Sequence, residues 1–312
     1  MSDFSAKLSV IIVTYNNASV LPHTLASLME NVSFRPLEII LIDNHSSDET
    51  IEIIHSFARD ASARDVRVLF RLNKKNRGFT HAVNQGLRHA TGDFILFLNP
   101  DVQLMENSVE RMAEFLAVQS DVGIVAPQLL YPNGRIQPSC RHFPRYRDVF
   151  FEIAGLSRLF SKSRLFNYWK MGYFSHNRTR RVDQPQGACL LTMRDVVDMI
   201  GPWDERFFLF FSDVDWCRRV KRRRKKIYFY PDARAIHKKG DSVYRYRVKS
   251  LFYSHRDFIE YFWKTKGKMW QMPMNIGMSI LLLSVGAIRI VLALPQALFH
   301  KEKTIHGRSF LC

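Results

Sequence analysis

The strongest constraint on this chain is a rhythm in its N-terminal part, where short apolar, β-branched runs alternate with amphipathic stretches of helical period. Runs at Leu8 to Thr14, Leu37 to Asp43, Val66 to Phe70 and Phe94 to Leu98 read as strands, and Val20 to Glu30, Asp48 to Arg59 and Phe79 to Ala90 as helices. A crossover helix between successive strands makes those strands parallel, because antiparallel neighbours need only a tight turn. The expected class is α/β, with a mostly parallel central sheet and helices on both faces. Ligands of such sheets bind outside the carboxyl ends of the strands.

The stretch from Tyr131 to Asp183 is rich in Pro, Arg and aromatic residues and carries the turn signal Pro132-Asn133-Gly134, so it reads as loops and short helices beside the site. A strand at Ala188 to Met193, a loop through Gly201-Pro202-Trp203, a helix from about Asp213 to Arg224 and a strand at Lys226 to Tyr230 complete a domain expected over residues 1–243. Residues 244–312 read as a separate, membrane-associating helical region. There Tyr244 to Lys268 is basic, and Ile276 to Phe299 is almost wholly apolar apart from Arg289 and Pro295. A helix of that second length extends about 36 Å, enough to cross a hydrocarbon core of about 30 Å. It can span or lie in the interface, with Arg289 snorkelling toward one end, and the alternative is a buried core helix.

A net charge of +17 points to an anionic partner: nucleic acid, an anionic lipid surface or a phosphate-bearing substrate. No helix-turn-helix, zinc finger or aromatic RNA-binding pattern accompanies the charge, which argues against nucleic acid. The four cysteines, Cys140, Cys189, Cys217 and Cys312, contain no CxxC pair and suggest neither a disulfide scaffold nor a zinc cluster. The opening MSDFSAKLSV leads straight into a strand pattern, and the expected location is the cytoplasmic face of the inner membrane.

Chemistry-bearing residues gather at the predicted strand ends. The first strand ends in Thr14-Tyr15-Asn16-Asn17 and the second in Asp43-Asn44-His45-Ser46-Ser47-Asp48. A carboxylate placed like Asp43 can accept hydrogen bonds from a base N–H or a ribose hydroxyl, whereas Asp48 reads as a helix N-cap. In Asn76-Arg77-Gly78-Phe79, Gly78 opens a helix whose positive end suits phosphate, and the absence of GxGxxG argues against a nicotinamide cofactor. The fourth strand runs into Asn99-Pro100-Asp101, placing one carboxylate where a divalent cation bridging two phosphates would be held. An acidic turn after a strand is also commonplace.

Taken together, VIIVTYNN, EIILIDNHSSDET, NRGFTHAVNQG, GDFILFLNPDV, QGACLLTMRDVVDMIGPWDERFFLFFSDVDWCRRV and AIHKKGDS resemble the bacterial glycosyltransferase family 2 enzymes of GT-A (nucleotide-diphospho-sugar transferase) fold, and within them the rhamnosyltransferase-like branch of surface polysaccharide synthesis. The resemblance covers about Leu8 to Ser242. It implies that Thr14, Tyr15 and Asn16 flank the nucleobase, that Asp43 binds it, and that Asn76, Gly78 and Phe79 line the donor pocket. Asn99 stands where the family's DxD motif has its first aspartate, leaving Asp101 as the carboxylate for Mg²⁺ or Mn²⁺ and the diphosphate. His237 matches a histidine that helps hold the metal or the diphosphate.

Asp213 matches the family's catalytic base, but the glutamate that normally precedes it is Ser212 here, which puts the acceptor contacts of that pair in doubt. Helix capping through Ser212 and Asp215 is the structural rival. The helix dipole is expected to keep Asp213 ionised. Gly187 and Ala188 are expected to let the acceptor approach closely, with Trp203 and Asp204 beside it; the aromatic run Trp203, Phe207, Phe208, Phe210 and Phe211 offers either a stacking surface or packing beneath the site. The implied reaction is inverting transfer of a sugar, with dTDP-rhamnose the favoured donor and galactofuranose, glucose and N-acetylhexosamines as alternatives, to a polyprenyl-diphosphate-linked saccharide. A nucleotidyltransferase making sugar nucleotides would show a Gly-rich basic loop after the first strand, where Tyr15-Asn16-Asn17 stands.

Overall fold

A computed structural model describes residues 6–62, 66–238 and 246–306, without the side chains of 62 and 296–306. The expected domain boundary at 243, the motif end at Ser242 and Cys312 fall outside the described residues. In chain order the strands are β1 (Leu8–Thr14), β2 (Leu37–Asp43), β3 (Val66–Leu72), β4 (Phe94–Leu98), β5 (Val102–Leu104), β6 (Val122–Leu130), β7 (Cys140–Arg141), β8 (Arg180–Arg181), β9 (Gln184–Pro185), β10 (Cys189–Met193) and β11 (Lys226–His237). The helices are α1 (Leu21–Asn31), α2 (Thr50–Ser62), α3 (Phe79–His89), α4 (Ser108–Val118), α5 (Tyr146–Ile153), α6 (Leu156–Leu159), α7 (Arg194–Ile200), α8 (Ser212–Arg222), α9 (Arg247–Thr265) and α10 (Met272–His306).

The main sheet runs β3-β2-β1-β4-β10-β6-β11-β5, with β8 added against β11. β3, β2, β1 and β4 are parallel, as the crossover spacing requires. β10 then inserts antiparallel between β4 and β6, while β6 and β11 are parallel to each other. β1 and β2 are buried at every residue because helices cover both faces. Period-two alternation divides their side chains: Val10, Ile12, Ile39 and Leu41 pack with residues of α1, α2 and α4, and Ile11, Val13, Ile40 and Ile42 with residues of α3, α7 and α8. α3 approaches β1 so closely that a Cβ on Gly86 would stand 2.5 Å from Ile11 Cγ2.

Residues 102–130, for which the sequence pattern predicts no element, contain β5, α4 and β6. Pro127 lies inside β6, where a proline ordinarily counts against a strand, and β11 absorbs the irregularity with a register shift between Tyr230 and Arg234. β11 continues well past Tyr230, and its last residue is His237.

The described chain forms two compact units, the sheet unit through Glu205 and from Ser212, and a second that joins Arg206–Phe211 to the C-terminal helices. In the second, the buried Asp257 of α9 accepts three successive backbone N–H groups, from Phe208 at 3.3 Å, Leu209 at 3.0 Å and Phe210 at 2.9 Å. Burial still pushes its carboxyl pKa up against those bonds. Phe208 stacks on Tyr253 at 4.0 Å and Phe211 on Phe258 at 4.4 Å. Among the described residues, Met269–Pro295 is the one stretch long and apolar enough to cross a membrane, and it leaves Ile276, Ile280, Leu283, Ile288, Val291 and Leu292 exposed.

Candidate active site

The carboxyl ends of β1 and β2 are tied into one another. Asp43 is wholly buried: Oδ1 accepts hydrogen bonds from the Thr14 hydroxyl at 2.8 Å and the Ser46 hydroxyl at 2.5 Å, and Oδ2 from the backbone N–H of His45 at 3.1 Å and Ser46 at 2.8 Å. A carboxylate offers about four acceptor positions, and all are used. Asp43 and Thr14, expected at the nucleobase, are both fully buried and joined in the hydrogen-bond network that organises this turn. Asn16 joins the two turns, its N–H donating to Ser46 Oγ at 2.8 Å and its Oδ1 accepting from Ser47 N–H at 2.6 Å. Tyr15, half-buried between them, donates its backbone N–H to Asn17 Oδ1. Asp48 closes the start of α2 through the Thr50 N–H at 3.1 Å, as the capping reading required.

On the other side of β2, Asn44 Nδ2 donates to Asn76 Oδ1 at 2.9 Å and to the Gly78 carbonyl at 3.1 Å. This fixes the loop entering α3, with Gly78 at φ 95°, a conformation suited to glycine. Phe79 packs edge-on against Trp203.

The NPD turn and the late histidine meet. His237 Nε2 lies 3.4 Å from Asp101 Oδ1, although 136 residues of sequence separate them. On the ring's far side Nδ1 is 2.7 Å from Gln137 Oε1, and Gln137 Nε2 reaches the His237 carbonyl at 3.3 Å. With its amide N–H committed to that carbonyl, Gln137 presents an acceptor to Nδ1. An acceptor at Nδ1 suits the tautomer with Nδ1–H, which leaves Nε2 as the ring atom facing Asp101. A carboxylate oxygen and an imidazole nitrogen at this spacing suit adjacent positions on an octahedral Mg²⁺ or Mn²⁺, whose neighbouring ligands stand about 3 Å apart. No cluster of three or more His, Cys, Asp or Glu occurs among the described residues. Such a pair leaves the remaining positions to phosphate oxygens and water, the usual way Mg²⁺ binds beside phosphates.

Asp213 lies in the first turn of α8. Its Oδ2 accepts the Gly187 N–H at 2.9 Å and Gln184 Nε2 at 3.1 Å, and its Oδ1 accepts the Val214 N–H at 2.9 Å. Burial raises the carboxyl pKa above its ordinary value, with the Val214 and Gly187 N–H groups opposing. Desolvation thus opposes the ionised form that the helix N-terminus favours. Asp215 pairs with Arg219 at 3.0 Å, and Ser212 is buried, so the position of the family glutamate is closed off.

The expected acceptor residues fare unevenly. A Cβ on Gly187 would meet Asp213 Oδ2 and Cβ at 2.9 Å, so the group approaching this glycine is the carboxylate itself. Ala188 is wholly buried in the core and contributes its carbonyl, which accepts the Asn99 N–H at 2.8 Å. Trp203 is buried among Phe97, Phe79 and Trp216, which removes it from any stacking surface. Its backbone is pinned by Asn84 of α3, whose side chain bonds both its N–H and its carbonyl at 2.8 Å. Phe207 is fully buried, so packing accounts for it and for the stacked Phe208 and Phe211. Asp204 remains half-buried at the edge of this loop.

A continuous path thus links the groups: His237 to Asp101, the NPD turn through Asn99 to Ala188, and Gly187 to Asp213. Gln137 and Gln184 complete it, and neither stands out in the sequence because each acts on a residue far away in the chain. The family model for glycosyl transferase family 2 matches residues 9–180, more than half of the chain. The chain belongs to glycosyl transferase family 2. Along nearly its whole length this family 2 glycosyltransferase is similar to the N-acetylglucosaminyl-diphospho-decaprenol L-rhamnosyltransferase of Mycobacterium tuberculosis, at 24% identity over 96% of this chain and 98% of the relative. The structure is similar to the mannosyltransferase PcManGT of Pyrobaculum calidifontis in complex with GDP-Man and Mn²⁺, with TM-score 0.56, 18% identity and coverage of 96% of this chain and 79% of that one. It is also similar to S. aureus TarS 1-349 in complex with UDP-GlcNAc, with TM-score 0.52, 15% identity and coverage of 91% and 81%. These likenesses establish the GT-A fold for this chain.

Proposed function

We propose that this glycosyltransferase moves L-rhamnose from dTDP-rhamnose, with inversion, to a lipid-linked diphospho-saccharide at the cytoplasmic membrane face. The similarity along nearly the full length to the mycobacterial rhamnosyltransferase carries this reading. Its chemistry rests on Asp213. An acceptor hydroxyl attacks the anomeric carbon as the bond to the nucleoside diphosphate breaks, and Asp213 takes the hydroxyl proton. One displacement inverts the anomeric centre. The raised pKa suits proton abstraction, because it makes Asp213 a stronger base than an exposed aspartate, and three donors fix its position.

Asp101 and His237 would hold Mg²⁺ or Mn²⁺, and the cation supplies charge neutralisation for the departing diphosphate. Gln137 keeps the Nε2 lone pair of His237 facing Asp101. The turns after β1 and β2 and the loop before α3 line the nucleotide side through their backbone and outer edges. The exposed apolar face of α10 and the basic residues before it suit an interface with anionic lipid, where a prenyl-linked acceptor resides.

The deciding experiment incubates the full chain with a panel of nucleotide sugars, Mn²⁺ and a prenyl-diphospho-N-acetylglucosamine acceptor, and reads product by mass and anomeric NMR. Rhamnose transfer with inverted configuration is expected. Transfer from another donor alone, or retention, overturns the donor or the mechanism respectively.

A further inference from the structure

Arg141 is left unused by the reaction above. It ends β7, which pairs antiparallel with β9 so that Arg141 lies opposite Gln184. Residues directly opposite across such a pair share a face, and neighbours along a strand take opposite faces. Cys140 is buried in the apolar cluster with residues of α3, α7 and α8. Arg141 therefore projects to the other face with Gln184, whose side chain there donates to Asp213. Arg141 is half-buried, and Glu152 of α5 and, less strongly, Asp213 act on its charge. Glu152 is already engaged by Lys170 and Ser157.

Among the described residues, the Arg141 side chain makes no hydrogen bond or ion pair. Nearby arginines differ: Arg145 pairs with Asp148 at 2.9 Å and stacks on Tyr168, and Arg219 holds Asp215 and two backbone carbonyls. Desolvation lowers the pKa of Arg141, yet a guanidinium stays charged at neutral pH with five N–H donors to satisfy. Keeping a partly desolvated cation without a hydrogen-bonded anion is unfavourable, and a bound anion relieves it.

We propose that Arg141 binds the diphosphate of the lipid-linked acceptor. The inference rests on the function proposed above. In a single displacement the base and the leaving group stand on opposite faces of the anomeric carbon. Asp101 and His237 mark the face of the departing diphosphate, so an anion site beside Asp213 lies on the acceptor's face. The planar fork of arginine matches two phosphate oxygens, and the acceptor's own diphosphate adjoins the sugar whose hydroxyl reacts.

The test uses the full chain with Arg141→Ala and Arg141→Lys, at a pH well above the acid limb so that Asp213 stays ionised. Two acceptors are compared, prenyl-diphospho-N-acetylglucosamine and an alkyl glycoside of the same sugar without phosphate, and dTDP binding is measured by calorimetry with Mn²⁺. Arg141→Ala should raise KM for the diphosphate acceptor roughly tenfold to a hundredfold with kcat little changed, and Arg141→Lys should recover part of it. Rates on the alkyl glycoside and dTDP affinity should match the wild type. Equal losses on both acceptors, or no loss on either, overturn the proposal, and weakened dTDP binding reassigns Arg141 to the donor. Wild-type enzyme that uses the alkyl glycoside but not the diphosphate acceptor overturns the acceptor class itself, and the inference with it.

Discussion

The turns after β1 and β2 and the corner around Asp213 use carboxylates in opposite ways. In the turns, every acceptor position of Asp43 is filled by the protein's own donors, and the result is a rigid, self-satisfied frame. Around Asp213 the donors are too few to offset burial, and Arg141 stands nearby without a hydrogen-bonded partner among the described residues. The turns satisfy their own carboxylate, while burial at Asp213 is left only partly compensated.

The sharpest way to break this contrast is Asp213→Asn. The amide preserves shape and can still accept the Gly187 N–H, but it cannot take a proton. Transfer should fall about 10³-fold, within the range for loss of a general base, with donor affinity by calorimetry unchanged. Retained activity removes Asp213 as the base. Gly187→Ala comes next, because its Cβ would press on Asp213 at 2.9 Å. A displaced base should lower kcat about 10²-fold in steady-state assays while the melting temperature moves little. The pH profile tests the same group without mutation. The base works ionised, so kcat/KM should fall as pH drops through the raised pKa of Asp213, about tenfold per pH unit below it. An acid limb at or below the ordinary value of 3.8 would contradict that ordering.

On the frame side the effects are smaller. Gln137→Leu frees the His237 ring from its tautomer-setting partner, and Mn²⁺ affinity in the presence of dTDP, read by electron paramagnetic resonance, should weaken about tenfold. Thr14→Val leaves Asp43 short of one donor and should cost about 1–3 kcal/mol of stability in denaturant unfolding, with kcat nearly intact. A kcat loss in Thr14→Val as large as that in Gly187→Ala would erase the distinction between the two regions.

What the sequence discloses follows the same division. β1, β2 and β4 are legible to the residue because a strand covered on both faces is an unbroken apolar run. β3, at the sheet edge, extends two residues beyond its apolar stretch because Arg71 and Leu72 still pair with Ile42 and Asp43. α4 carries a helical stripe in Val109, Met112, Ala113 and Leu116 that is short enough to escape notice, and Pro127 disguises β6. Asp101, Asp213 and His237 are singled out by the family resemblance, and the fold brings His237 to Asp101. Gln137, Gln184 and Arg141 are not, since their meaning comes from partners that only the folded sheet brings near. Trp203 misleads because an aromatic residue beside a site motif looks alike in sequence whether it faces a cleft or a core.

The clamp on Asp257 bears on how this enzyme can be prepared. Three consecutive amides, two to four residues ahead of Ser212, converge on one side chain supplied by α9. A fragment cut at Lys238 would keep its sheet but leave those amides without their acceptor. The 206–211 segment would lose that anchor, so the uncut polypeptide is the sounder preparation.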